Sequence, residues 1–419
     1  MAAFSPPPGT ADIFPAEAAD WRFLENTAAK IFSNYGYGEL RTPIFEYTEI
    51  FQKGLGGDTE VVQKEMYTFE DRGGRSLTLR PEGTAGVMRA LTNTDVANGN
   101  EQRVFYYGPM FRGERPSAGR RRQFHQIGVE NVGRCAPLID AECLAMLHNF
   151  LTAIGITGAQ FTINTRGVTA DRAPAEAVLR EYFSKHIDAM CPDCRARLDR
   201  NVWRILDCKQ EACGEIIAGA PDYLQCFSAE SRAYFDEVQS ALTMLDVPFS
   251  VSSRLVRGLD YYVHTVFEVT HPQLGGQIAI AGGGRYELFL PGEKKPLPGV
   301  GFAAGMERLL MVREALQVPA SASAVTRVFL IGLDAAARRA NLVLADRLRA
   351  AGIRTEAELE ERSFKAQMRA ANRCGAAFAV IRGESEMAKK IVILKNMADG
   401  SQSELPESCL AEKLIQLTA

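Results

Sequence analysis

The sequence predicts an α+β protein in which two sheet-forming stretches flank a mostly helical insertion and a separate α/β domain closes the chain. Three observations carry that reading. Short β-rich segments broken by turn residues fill about 38–130 and resume after residue 252. Between them, about 167–237 has helical character and holds a cluster of cysteines. Beyond the small-residue stretch VPASASAVT, the best linker in the chain, strand and helix patterns alternate to the end.

Composition bounds the rest. A chain of 419 residues is too long for one core, and 46% hydrophobic with 24% charged residues excludes disorder. No apolar run reaches the roughly 18 residues needed to span a bilayer, and MAAFSPPPGTADIF lacks the marks of a secretion signal, so a cytoplasmic protein without membrane partners is expected. Nine cysteines, an odd count without a secretion signal, favour reduced thiols or a metal site over a disulfide framework. A net charge of -3 excludes a globally basic nucleic-acid coat but leaves room for a local basic patch.

Each element has its own justification. In PAEAADWRFLENTAAKIFSNYG, Trp21, Leu24, Ala28, Ile31 and Tyr35 recur at spacings of three and four, with Glu17 at the start and Gly36 after the end, which predicts an amphipathic helix. MYTFEDRGGRSLTLRPEG predicts a hairpin around Arg72-Gly73-Gly74, and RVFYYGPMFRGERPSAGRRRQFHQIGVE predicts two strands joined by a basic loop. SSRLVRGLDYYVHTVFEVT and QIAIAGGGRYELFL predict further strands. At the C-terminus, RVFLIGL, IRTEAEL, FAVIRG and KIVILKN read as strands, and DAAARRANLVLADRLRAAG and SFKAQMRAANRCG as helices.

Several of these elements carry chemistry. Strand alternation puts Gln126 and Glu130 on one face, and Gly108, Met110 and Arg112 together on the neighbouring strand. Taken alone, Arg112 and Glu130 read as a cross-strand ion pair. The joining loop adds Arg115, Arg120, Arg121 and Arg122, and guanidinium groups beside an arginine-bearing sheet favour a polyanion over plain solvation. In RPEGT, proline and glycine hold Glu82 and Thr84 at the sheet rim, where Glu82 suits either an ammonium group or a helix cap. Arg254, Arg257, Asp260, Tyr261, Tyr262 and His264 crowd one strand-like stretch and demand partners, while His264 reads as an ordinary hydrogen-bonded histidine. In GVGFAAGMERLL, Gly299, Gly301, Ala303 and Gly305 leave a flat strand face for a ligand, with Arg308 beyond it. No P-loop or dinucleotide fingerprint is present, so a nucleotide would rest on arginines and a sheet. Cys191, Cys194, Cys208 and Cys213 come close to four-cysteine zinc spacing, with a wider second gap than usual, and spacing alone leaves their metal unknown.

Together, YGYGELRTPIFEYTEIF, EMYTFEDRGGRSLTLRPEGTA, YGPMFRGERPSAGRRRQFHQIGVE, LVRGLDYY, GGGRY and GVGFAAGMERL make the chain resemble bacterial histidyl-tRNA synthetases, class II aminoacyl-tRNA synthetases, over nearly its whole length. SFKAQMRAANRCGAAFAVIRGE and LKNM resemble that family's anticodon-binding domain. The chain departs from the family at Pro8, where arginine is usual, at Arg121, which replaces an aromatic, and in NVWRILDCK.

The resemblance implies an antiparallel catalytic sheet flanked by helices over 1–320, a helical insertion at about 167–237, and a mixed α/β anticodon-binding domain over 326–419. It implies a ligase that activates L-histidine with ATP and Mg2+, releases pyrophosphate and transfers histidine to tRNA(His), as a homodimer, without a tightly bound organic cofactor and without needing zinc. By the same resemblance Arg112 and Arg257 are catalytic and hold the α-phosphate and the carboxylate, and Arg308 holds the terminal phosphates. Glu82, Thr84 and Gln126 hold the α-ammonium of histidine, Glu130 and Tyr262 its ring beside Tyr261, and the loop arginines 115 and 120–122 meet the tRNA acceptor end. Lys365, Arg369, Arg373, Lys389, Lys390 and Lys395 supply charge near the anticodon. The alternative, a non-catalytic regulatory relative, would lack the C-terminal domain, and a synthetase of another specificity would need other groups at Glu130 and Tyr262.

Overall fold

A computed structural model describes residues 5–55, 59, 61–92, 94, 96, 100–117, 119–257, 261–275, 278–288, 296–319 and 327–418. Ala118, the Gly258-Leu259-Asp260 part of LVRGLDYY and most of the VPASASAVT stretch lie outside the described residues. The chain divides into two compact units, residues 1–321 and 322–419.

The strands of the first unit are β1 (Gly38–Glu39), β2 (Phe45–Tyr47), β3 (Thr68–Glu70), β4 (Ser76–Leu79), β5 (Gln102–Phe111), β6 (Gln123–Val132), β7 (Gln160–Thr165), β8 (Phe249–Val251), β9 (Tyr262–Thr270), β10 (Ala279–Leu288) and β11 (Leu297–Gly305). Eight form one sheet in the order β1-β5-β6-β11-β10-β9-β7-β8, antiparallel except at its two outermost pairings. The α+β fold read from the sequence is therefore the fold observed. β2, β4 and β3 make a small second sheet, and β3 and β4 pair across the Arg72-Gly73-Gly74 turn. The basic loop joins β5 to β6, which run in continuous register from Gln102↔Val132 to Phe111↔Gln123.

The helices are α1 (Pro15–Asn34), α2 (Thr48–Leu55), α3 (Thr84–Leu91), α4 (Pro137–Ala153), α5 (Thr169–Ser184), α6 (Pro192–Arg200), α7 (Glu211–Ala218), α8 (Ala229–Met244) and α9 (Met306–Ala315). α1 starts with Pro15 in its first turn, which needs no N–H there. Its buried line is Trp21, Leu24, Ala28 and Phe32. Phe32 displaces Ile31 from the centre of the expected face because its ring meets Phe105, Phe150 and Phe302 at centroid distances of 5.5–5.8 Å. α1, α4, α8 and α9 cover one face of the large sheet and close the main core. A second core, from Ala175 to Phe227 with Val256, belongs to the helices around the cysteines. Within it Trp203, at the chain's departure from the usual family sequence, donates to Glu176 at 2.8 Å and lies 4.0 Å from the Arg166 guanidinium.

In the second unit β12 (Arg327–Gly332), β13 (Arg354–Ala357), β14 (Phe378–Arg382), β15 (Ile391–Asn396) and β16 (Gln402–Pro406) form a sheet in the order β13-β12-β14-β15-β16. Its helices are α10 (Ala335–Ala350), α11 (Phe364–Arg373), α12 (Glu384–Lys389) and α13 (Leu410–Thr418). β16, α12 and α13 went unread in the sequence, being short or amphipathic over few residues. Arg382 holds this unit together internally, donating to Asn341 and to Glu407, each at 2.6 Å.

Candidate functional site

The middle strands β6, β11, β10 and β9, with the turn before α3, build a small pocket of about 70 Å³ beside a larger cavity of about 840 Å³. Glu82, Thr84, Gln126, Glu130, Tyr261 and Tyr262 all line the small one. Arg120, Arg121 and Arg308 line the large one. Arg112, Gln126 and Arg257 line both.

Glu130 sits at the bottom of the small pocket, 2% exposed, accepting from the Thr84 hydroxyl at 2.7 Å and the Tyr286 hydroxyl at 2.8 Å. The expected ion pair with Arg112 does not form, because β-sheet register puts Val104 opposite Glu130 and Arg112 past the end of the strand. Burial pushes Glu130 up to about 8; the hydrogen bonds from Thr84 and Tyr286 oppose that shift and the charge of Glu82 adds to it. Glu82 accepts from the Thr84 and Ala85 backbone N–H groups at 2.6 and 2.9 Å, so it caps α3 while lining the pocket. Burial raises its pKa too, against those N–H groups and the charge of Arg112.

The glycines of β11 serve two purposes. A side chain at Gly301 would collide with the Glu130 carboxylate, and one at Gly299 with the Tyr286 ring. Part of their space is taken by the protein's own groups, yet Gly301 and Ala303 line the small pocket and Ala303 and Gly305 the large cavity, so the strand's small residues border both spaces.

Two polar atoms at the junction are buried without a partner: Gln126 Oε1 and Arg257 Nε. Such atoms are rare unless something else meets them. Arg257 Nη1 also donates to Glu268 at 3.0 Å, and β10 brings Gly282 opposite Glu268. Arg112 donates to the Pro81 carbonyl at 2.9 Å and stands 3.9 Å from Glu114. Arg308 donates to the carbonyls of Gly119 and Ala279 at 2.9 and 2.6 Å. Burial lowers its pKa below the ordinary arginine value, and the positive charges of Arg120 and Arg112 act the same way, a surplus that an anion would relieve.

The loop arginines divide by orientation. Arg115 and Arg121 are exposed, and Arg120 is exposed beside Glu114 at 3.7 Å. Arg122 is half-buried and ties the loop down, its Nε donating to the Glu114 carbonyl at 3.3 Å and its backbone N–H to Gly9 at 2.8 Å. The Pro8 departure falls beside that anchor.

His264 lies away from both cavities, with φ of 46° and its ring stacked on Tyr234 at 4.0 Å. Arg254 donates to the Ala218 carbonyl at 3.3 Å and faces the large cavity, as do Arg204, Asp207 and Lys209 of the helical insertion, which residue spacing did not reveal. Tyr286 was visible only as part of GGGRY, and its role depends on strand pairing with Tyr262.

The family model for histidyl-tRNA synthetase matches residues 9–309, and a model for an anticodon binding domain matches 327–417. The chain belongs to the histidyl-tRNA synthetase family. It is 45% identical over 422 residues to the histidine–tRNA ligase of Geobacillus thermodenitrificans, spanning 99% of both proteins. It is 44% identical to that of Halothermothrix orenii, spanning 98% of this chain and 99% of the relative. The crystal structure of apo histidyl-tRNA synthetase from S. aureus superposes with a TM-score of 0.82 at 34% identity, covering 98% of this chain and 99% of that one.

Proposed function

We propose that this histidine–tRNA ligase forms histidyl-adenylate where its two cavities meet, at Arg112 and Arg257. The observation that carries the reading is that these arginines and Gln126 line both the small enclosed pocket and the large one. Histidine occupies the small pocket. Glu82, Thr84 and the unpartnered Gln126 Oε1 receive its ammonium, since each carboxylate oxygen has lone pairs left after its present hydrogen bonds. Glu130 meets one ring nitrogen and the Tyr262 hydroxyl the other, with Tyr261 packing beside it.

ATP enters the large cavity with its terminal phosphates at Arg308. Magnesium arrives with it as part of the substrate, and Glu65, Glu114 and Glu268 line the same space with oxygen ligands of the kind it takes. The histidine carboxylate oxygen bonds to the α-phosphorus as the bond to the bridging β-oxygen breaks and pyrophosphate leaves. Arg112 and Arg257 neutralise the charge that develops, and no covalent enzyme intermediate is needed.

Catalysis belongs to residues 1–320 and anticodon binding to 326–419. Exposed Arg115, Arg120 and Arg121 approach the acceptor end of tRNA(His). On α11, Lys365, Arg369 and Arg373 are exposed at four-residue spacing and form one basic stripe, joined by exposed Lys389 and Lys390 and half-buried Lys395. A homodimer is supported by apolar side chains exposed around the small sheet, with Ile44, Phe45, Tyr47 and Phe69 each 44–47% exposed. Among the described residues no helix is long and apolar enough to cross a membrane. A ligase working on tRNA belongs in the cytoplasm.

Histidine-dependent exchange of pyrophosphate into ATP, measured against a panel of other amino acids, tests the reading. Exchange with histidine alone is expected, and exchange with none would overturn it.

A further inference from the structure

The geometry points to a structural zinc ion held by Cys191, Cys194, Cys208 and Cys213 in the helical insertion. Their four sulfur atoms all lie within 4.8 Å of one another. Four thiolates around zinc at bonds of about 2.3 Å have edges of roughly 3.8 Å, and Cys191 Sγ and Cys208 Sγ are 3.8 Å apart. All four cysteines are free, and that separation is far too long for a disulfide.

The chain delivers them in two pairs. Cys191 caps α6 and Cys194 lies in its first turn, while Cys208 and Cys213 stand on either side of the start of α7. The wider second gap, which weakened the spacing argument, is absorbed by that helix start. The Cys191 backbone N–H donates to Cys213 Sγ at 3.3 Å, the kind of contact that supports a thiolate sulfur. Cys194 and Cys213 are buried in the insertion's own core, among Met190, Leu206 and Ile217, so the cluster is dry on one side and reachable through the half-buried Cys191 and Cys208 on the other. Binding converts four thiols to thiolates and releases their protons to solvent.

The ion would matter to the active site indirectly. Asp207 and Lys209, which flank Cys208, line the large cavity, and Val256, next to Arg257, packs into the same core as Cys194 and Cys213. A metal at the four sulfurs therefore pins one wall of that cavity without touching the substrates.

The test uses the full chain, purified in the presence of zinc and then passed through a chelating buffer. About one zinc per chain is expected. Replacement by cobalt should give the intense thiolate-to-metal absorption and red d–d bands of a tetrahedral four-thiolate site. Mass-mapped alkylation should label the exposed Cys135 and Cys409 rapidly and the four clustered cysteines only after metal is stripped. C194S or C213S should lose the bound metal and raise hydrogen exchange across residues 191–213. Should either variant fail to fold, the cobalt spectrum and the alkylation of the unaltered protein still decide. Clearly substoichiometric zinc in protein that retains histidine-dependent exchange, a weak octahedral cobalt spectrum, a disulfide within the cluster, or labelling of the four as fast as Cys135 would each overturn the proposal.

Discussion

Tyr286 donates its hydroxyl to Glu130 at 2.8 Å, across the space that Gly299 and Gly301 leave open on the strand between them. Together with the Thr84 hydroxyl, which donates to the other oxygen at 2.7 Å, this hydrogen bond fixes the orientation of the buried carboxyl group. Tyr286→Phe removes one of two donors to it, a loss worth roughly 1–3 kcal/mol in a buried site. The Michaelis constant for histidine should rise about tenfold or more while that for ATP hardly moves. Glu130→Ala should go further and lose discrimination, which a site of paired polar groups can hold at roughly 10⁴ or more. Pyrophosphate exchange with a panel of amino acids reads both effects, and unchanged discrimination in Glu130→Ala would remove Glu130 from the specificity role.

The same residue gives the stability of the free protein a pH dependence. Its pKa stands at about 8 in the fold against an ordinary 4.5, so below pH 4.5 it is protonated in both folded and unfolded chains and costs nothing. As pH rises from 4.5 to 8 the unfolded chain loses that proton and the folded one keeps it, so stability falls, by at most about 1.4 kcal/mol per pH unit for one group. Glu130→Gln abolishes the effect. Urea unfolding of the two proteins should show the variant gaining on the parent across this window and the gap levelling off above pH 8.

Arg257 reaches the junction of the cavities with an unpartnered Nε. Arg257→Ala should lower the rate of adenylate formation by roughly 10²–10³, the usual cost of removing a group that stabilises developing charge. Histidine binding, measured by calorimetry, should weaken far less. Equal losses in both would place Arg257 in binding alone.

Deleting residues 326–419 should leave histidine-dependent exchange largely intact and greatly weaken tRNA charging, with circular dichroism and sedimentation confirming that the shortened chain is folded. Arg120→Ala should slow transfer to tRNA with adenylate formation nearly preserved. Arg122 is unsuited to that experiment, because it anchors the loop to Gly9 and Glu114. Full charging by the truncated chain would remove the anticodon role from this domain.

Sedimentation at micromolar concentration should give a dimer. Phe45→Asp, at the exposed edge contact between Phe45 and Phe69 with centroids 6.4 Å apart, should shift it toward monomer. A parent protein that sediments as a monomer would contradict the assembly.

The sequence by itself determined the local pieces. The β5 and β6 strands, the Arg72-Gly73-Gly74 hairpin, α1 and most of the C-terminal alternation were legible because period-two and period-3.6 patterns and turn residues act over a few neighbours. Residue types also carried the expectation that a nucleotide would rest on arginines, since the sequence holds no phosphate-loop motif. Tertiary structure alone decided what each group touches. Thr84 and Tyr286 reach Glu130 from 46 and 156 residues away, Phe32 takes the core position expected of Ile31, and Arg112 is separated from Glu130 by strand register. Likewise, the four sulfurs converge because two helix starts face each other, which spacing along the chain could not fix. The physical reason is common to all of these. Periodicity states which side of an element is buried, whereas a hydrogen bond, a filled glycine hollow or a sulfur cluster depends on which surface another part of the chain presents to that side.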